Sequence, residues 1–152
     1  MEDPHSQSET HQTQVNVPDH VKRTASRLFE TTRKALIKRD GGCFICGGVK
    51  ELEAHHHPVE WSFAMMVDFS PASRIRKDFP LFDWAAFDSA GDNPYSFVDN
   101  MLHNGLLLCK THHIKVNQGI HAMPYPLWVA QRYGREGYKF SDIETIHHQR
   151  ST

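Results

Sequence analysis

Cysteine and histidine carry the chemistry of this chain. Cys43 and Cys46 are separated by two residues, Cys109 is followed by His112 and His113, and an uninterrupted triplet, His55-His56-His57, stands between the two groups. A two-residue gap lets both members of a pair reach one ion, so Cys-x-x-Cys with Cys-x-x-His offers the four ligands of a tetrahedral metal site. Gly47 and Gly48 complete a knuckle turn whose backbone N–H groups can point at the sulfurs. Cys43, Cys46, Cys109 and His112 are therefore read as ligands of a structural zinc ion. The alternative, buried free cysteines beside a surface histidine, leaves the doubled spacing unexplained. Histidines remain to spare, and a neutral imidazole serves as a ligand for a second cation or as a proton acceptor.

The elements that must position these residues can be read from periodicity. Leu52-Glu53-Ala54 leads into the triplet and Pro58 ends it, which predicts a short strand running into a loop. Asn104-Gly105 is a turn signal, Leu106-Leu107-Leu108 a second short strand, and Lys110 to about Gln118 a helix. On that helix His112 and His113 point about 100° apart, so one can face the zinc and the other the hairpin. Upstream, Val21, Ala25, Leu28, Phe29, Ala35, Leu36 and Ile37 recur at helical spacing from Asp19 to about Asp40, where Gly41-Gly42 stops the pattern. The polar face of this helix is basic; Arg33, Lys34, Lys38 and Arg39 suit either phosphate contact or simple solvation. After the second cluster, Pro124-Tyr-Pro126 reads as a rigid connector, Leu127–Tyr133 as a short helix ended by Gly134, and Ser141–Glu144 as a capping box.

Composition limits what surrounds the site. With 152 residues, 39% hydrophobic and 23% charged, the chain supports one small domain with a modest core. No apolar run approaches the ~20 residues of a membrane span, and the first residues lack an export signal, so a cytoplasmic location is expected. The net charge of −1 gives no global signal for nucleic acid, whereas histidine is heavily over-represented at 12 residues. Residues 1–17 are polar and without apolar period, which predicts a disordered tail; 18–140 form the domain and 141–152 a second tail. The stretch 58–103 separates the two strands by far more than a turn. Its aromatic residues, Trp61, Phe63, Phe69, Phe79, Phe82, Trp84 and Phe87 among them, predict a largely helical lobe packed on the first helix. Arg74, Arg76 and Lys77 could track phosphates there, opposed by Asp68, Asp78, Asp83 and Asp88.

Taken in order, Cys43/Cys46, Leu-Glu-Ala-His55-His56, Asn104-Gly-Leu-Leu-Leu-Cys109 and His112-His113 resemble the HNH endonucleases, the His-Me finger family with a ββα-metal core. The resemblance covers roughly half of the chain. It implies an α+β fold: a small ββα-metal core pinned by structural zinc, with an N-terminal helix and a helical insertion between the hairpin strands. It further implies hydrolysis of DNA phosphodiester bonds in a bacterial or phage-encoded setting. His56 would be the general base; His55 and His113 would hold a catalytic divalent cation such as Mg²⁺, Mn²⁺, Ni²⁺ or Zn²⁺. Asn104 would accept a hydrogen bond from the second nitrogen of His56, and Asn117, one helical turn after His113, is a candidate third ligand. Two alternatives stay open. The triplet permits a shift by one, with His56 as ligand and His57 as base, and Asn100 competes with Asn104. A reading of another class, a non-catalytic zinc-stabilised module for nucleic-acid binding or assembly, needs only four ligands where this chain offers eight candidates.

Overall fold

The computed structural model describes residues 6, 8 and 10–148. The rest of both expected tails lies outside that range. Two strands, β1 (Leu52–His56) and β2 (Gly105–Cys109), form an antiparallel pair in which Leu52 faces Cys109 and His56 faces Gly105. Helix α5 (Lys110–Ile114) leaves β2 directly. The result is a small α+β protein with one two-stranded sheet among its described residues.

Period-two alternation gives each face of β1 its own task. Leu52 and Ala54 pack with Leu36, Met101 and Leu107 beneath helix α1 (Arg27–Asp40), while Glu53 and His55 meet α5 and the loop that follows it. Helix α1 starts eight residues later than the apolar spacing predicts. Ser26 caps it, its hydroxyl accepting the Phe29 N–H at 3.0 Å, and the residues before it follow an irregular path. Side-chain ring contacts hold that path in place: His20 meets Trp61 edge-on and Arg23 lies over Phe29. The C-terminal end falls where Gly41-Gly42 placed it, with Gly41 at φ 71° closing the helix.

The 58–103 insertion is helical. A 3₁₀ turn (Trp61–Met66) precedes α2 (Arg74–Asp78), α3 (Trp84–Ser89) and α4 (Tyr95–Val98). Trp61, Ala64, Phe82, Phe87, Phe97 and Val98 form its own core, with Phe69, Phe79 and Trp84 against them. Arg76 pairs with Asp88 and lies over Trp84, so this cation serves the lobe internally. The lobe joins α1 through the end of α4, where the Thr32 hydroxyl donates to the Asp99 carbonyl and accepts the Met101 N–H.

A third core sits under the cysteine turn, with Cys43, Ile45, Leu108 and Trp128 buried together. Trp128 belongs to α6 (Tyr125–Ala130), which begins at Pro124 and continues as a 3₁₀ turn to Tyr133. Ser141 does accept the N–H groups of Ile143 and Glu144 as a capping box would, but no helix follows. Instead the chain doubles back, pairing Lys139 with Thr145 and burying Ile146, so residues expected in a tail are part of the packed structure. Among the described residues, no helix is long and apolar enough to cross a membrane.

Candidate functional site

The ββα unit carries two clusters of metal-binding side chains. At the first, Cys43, Cys46, Cys109 and His112 bring their ligand atoms within 4.8 Å of one another. Cys46 Sγ is 3.9 Å from Cys109 Sγ, Cys43 Sγ is 3.9 Å from His112 Nδ1, and Cys109 Sγ is 3.3 Å from the same nitrogen. Tetrahedral coordination with metal–sulfur bonds of ~2.3 Å separates sulfur ligands by about 3.8 Å, so four side chains spaced this way can hold a metal ion. The knuckle turn aims the N–H of Ile45 at Cys43 and that of Gly48 at Cys46, which stabilises thiolates. Hydrogen bonds within the cluster, from Cys109 above all, drive the Cys43 thiol strongly down and the Cys46 thiol up. Burial lowers the His112 pKa, but its bonds to Cys109, Cys43 and Glu144 outweigh that and carry it up to about 10. Glu144 meets His112 Nε2 at 2.9 Å and is itself gripped by Gln118, so a carboxylate fixes the imidazole from behind.

The second cluster lies across the hairpin and contains His55, His113 and His121. Ring centroids are 5.2 Å apart for His55 and His113, 4.7 Å for His55 and His121, and 4.8 Å for His113 and His121. His113 and His121 bring their Nε2 atoms to 3.1 Å, and Glu53 takes His113 Nδ1 at 3.2 Å. A carboxylate on the far nitrogen turns the near lone pair inward, the usual support for a metal-bound imidazole. Glu60 stands 3.3 Å from His55 Nε2. Burial, then the neighbouring His121 and His113, push the His55 pKa down to about 3 and keep that ring neutral at pH 7. Burial and His113 lower His121 as well.

His121 reaches this place because α5 is shorter than its sequence pattern predicts. The helix stops at Ile114; Lys115 is extended and Asn117 sits at φ 61° in a turn, so the one-turn relation expected between His113 and Asn117 does not exist. The loop then folds back along the helix, with Ile120 N–H donating to the His112 carbonyl and His121 N–H to that of His113. Gly119 permits this approach: a Cβ there would stand 2.6 Å from the His113 carbonyl group.

His56 lies on the opposite face of β1. It is 7% exposed, stacks on Phe29 at 5.4 Å, and bonds through Nε2 to Asp99 Oδ1 at 3.0 Å. The hydrogen bond expected from His56 to Asn104 is absent. Asn104 is fully buried with its carboxamide taken by backbone: Oδ1 accepts from Val59 N–H, and Nδ2 donates to the Val59 and Val98 carbonyls. It braces the loop after β1, and Asp99 holds the imidazole. Asn100 turns its side-chain oxygen to the Leu102 N–H. His57, the other reading of the triplet, stacks on Tyr125 apart from both metal clusters.

An open cleft of about 390 Å³ joins these parts. Its walls include His55, His56, His113, His121, Glu60 and Trp61, and also His20 and Arg23 from the segment before α1. None of Arg33, Lys34, Lys38 and Arg39 lines it; Arg39 pairs with Asp40 and donates to the Leu102 carbonyl. His121, Asp99, Glu53, Glu60 and Glu144 had no assigned part in the site as read from sequence. Glu53 had a signal, since two residues before His55 on a strand is the same face. Asp99 and Glu144 had none, because only tertiary packing brings them to the site. Comparison with protein-family profiles, curated proteins and solved structures gave no match.

Proposed function

We propose that the protein is a metal-dependent endonuclease of the HNH type that hydrolyses DNA phosphodiester bonds, with a structural zinc at Cys43, Cys46, Cys109 and His112. The observation that carries this reading is the juxtaposition in one cleft of a three-histidine cluster and a separate histidine held by a carboxylate. A structural module has use for the cysteine site alone; neutral imidazoles converging beside an oriented fourth suit hydrolysis.

His55, His113 and His121 would hold the catalytic cation, with Glu53 aiming His113 and Glu60 at the rim. A divalent ion held by these residues would supply positive charge against that developing on the phosphate and the leaving oxygen. The protein's own part centres on His56. Asp99 fixes the proton on Nε2, which leaves the Nδ1 lone pair to take a proton from water as that water attacks phosphorus. Water oxygen bonds to phosphorus as the bond to the 3′ oxygen breaks; that oxygen takes a proton from solvent, His56 later releases its own to solvent, and the products carry a 3′-hydroxyl and a 5′-phosphate. The imidazolium formed at His56 is stabilised by the Asp99 carboxylate beside it. Asn104 keeps the loop carrying Val59 and Glu60 against β1, which sets the cleft wall.

Plasmid cleavage in Mg²⁺, Mn²⁺, Ni²⁺ or Zn²⁺ tests the reading. His56→Ala is expected to cut at least ~10²-fold more slowly, the typical contribution of a positioned general base, with metal content and fold unchanged. Wild-type protein that nicks no DNA with any of these ions, or a variant that cuts equally well, overturns it.

A further inference from the structure

The segment before α1 has no place in the chemistry so far, yet it brings two side chains to the wall of the histidine cleft. His20 packs edge-on against Trp61 with ring centroids 5.3 Å apart. Arg23 places its guanidinium carbon 5.0 Å from the centre of the Phe29 ring, and Phe29 in turn stacks on His56. Resting on the hydrolase reading above, we propose that Arg23 binds a phosphate of the nucleic-acid backbone in this cleft, presented there by the irregular segment that precedes the helix.

Charge and geometry both lead to Arg23. Of the residues lining the cleft it is the only arginine or lysine, and the one carboxylate on the wall, Glu60, repels an anionic substrate. A phosphodiester entering beside Glu60 needs a compensating cation besides any bound ion. Among the described residues no carboxylate pairs with Arg23, unlike Arg39 and Arg76, which are held by Asp40 and Asp88. Stacking on Phe29 limits the guanidinium's freedom while leaving its N–H edges open, and the planar fork matches two phosphate oxygens at once. Had α1 begun at Asp19 as its apolar spacing predicts, residue 23 would lie in a regular turn of that helix. The Ser26 cap ends the helix short and frees the preceding segment to cross toward Trp61.

The test is binding of a short fluorescent DNA duplex, followed by anisotropy across a range of NaCl without added divalent cation, beside steady-state cleavage. Arg23→Ala is expected to weaken binding, to lower the slope of log K against log[NaCl] by about 0.9, one phosphate contact, and to raise KM for cleavage. Arg23→Lys, which keeps the charge, restores the slope but only part of the affinity. Thermal stability of both variants matches wild type, because the side chain is exposed. If wild type cuts DNA while Arg23→Ala keeps its slope and KM, the Arg23 assignment falls and the hydrolase reading stands. Should wild type bind without cutting, the hydrolase reading falls and the slope comparison still decides Arg23. Protein that neither binds nor cuts DNA overturns both.

Discussion

The two clusters that could hold a metal ion share a strand pair and a helix, with His112 and His113 adjacent in sequence, yet they differ in almost every physical respect. The cysteine site is closed: three sulfurs and one imidazole, Cys43 4% and His112 5% exposed, with a hydrophobic core directly beneath. The histidine site opens on a cleft and gathers its ligands from β1, α5 and a returning loop. Four ligands that close around an ion leave nothing for chemistry, whereas three ligands leave a position for water or substrate. One short ββα unit thus presents two different donor sets. Sulfur donors dominate the buried cluster, and imidazole donors alone form the one that opens on the cleft.

That division predicts unequal consequences. Cys109→Ser should have the largest effect, since Cys109 ends β2, opens α5 and supplies a thiolate. Tightly held metal contributes about 10–16 kcal/mol to folding of small zinc domains, and its loss here should unfold the ββα unit, seen as absent metal by elemental analysis and collapsed circular dichroism. Retention of a cooperative fold without metal would erase the distinction between the sites. Gly119→Ala comes next. Its Cβ collides with His113 backbone, so the returning loop must move, and calorimetry should find divalent-cation binding at the histidine site lost while the cysteine site stays loaded. His121→Ala removes one ligand without disturbing backbone; it should weaken that binding by more than the ~10–100-fold typical of losing an outer-shell partner, with the thermal midpoint almost unchanged. Smallest is Glu144→Ala, expected to lower metal affinity at the cysteine site about 10–100-fold in a chelator competition.

The same contrast explains what sequence could say. Ligands separated by two residues, such as Cys43 and Cys46, are brought together by local turn geometry, so their spacing is enough to find them. Strand alternation likewise sends His55 and His56 to opposite faces, a consequence of their adjacency alone. Contacts made by chain reversal leave no such trace. Asn117 looked like a ligand only while α5 was assumed to continue, and a break at Lys115 put His121 there instead. Asn104 looked like a partner of His56, but a buried carboxamide satisfies the nearest unpaired backbone groups, which belong to Val59 and Val98. The Asp19–Ser26 stretch had apolar spacing suited to a helix, and a cap plus two ring contacts won over it. Glu144 sat in a true Ser141 turn, whose local chemistry is the same whether a helix or a reversal follows.

Asp99 ties three elements at one residue: its carboxylate meets His56 and the Ser26 hydroxyl, and its carbonyl accepts from Thr32. An evolutionary constraint follows. The aromatic lobe between the strands can change in length or core only while Trp61 keeps its place on the cleft wall and the last turn still delivers an acid between the helix cap and the strand. Divergent relatives would then share, besides the tryptophan of the cleft wall, a carboxylate shortly before the glycine that opens the second strand and a hydroxyl at the start of the first helix to meet it. Those two positions should covary when either changes, which makes them a sharper search pattern for distant kin than the lobe itself.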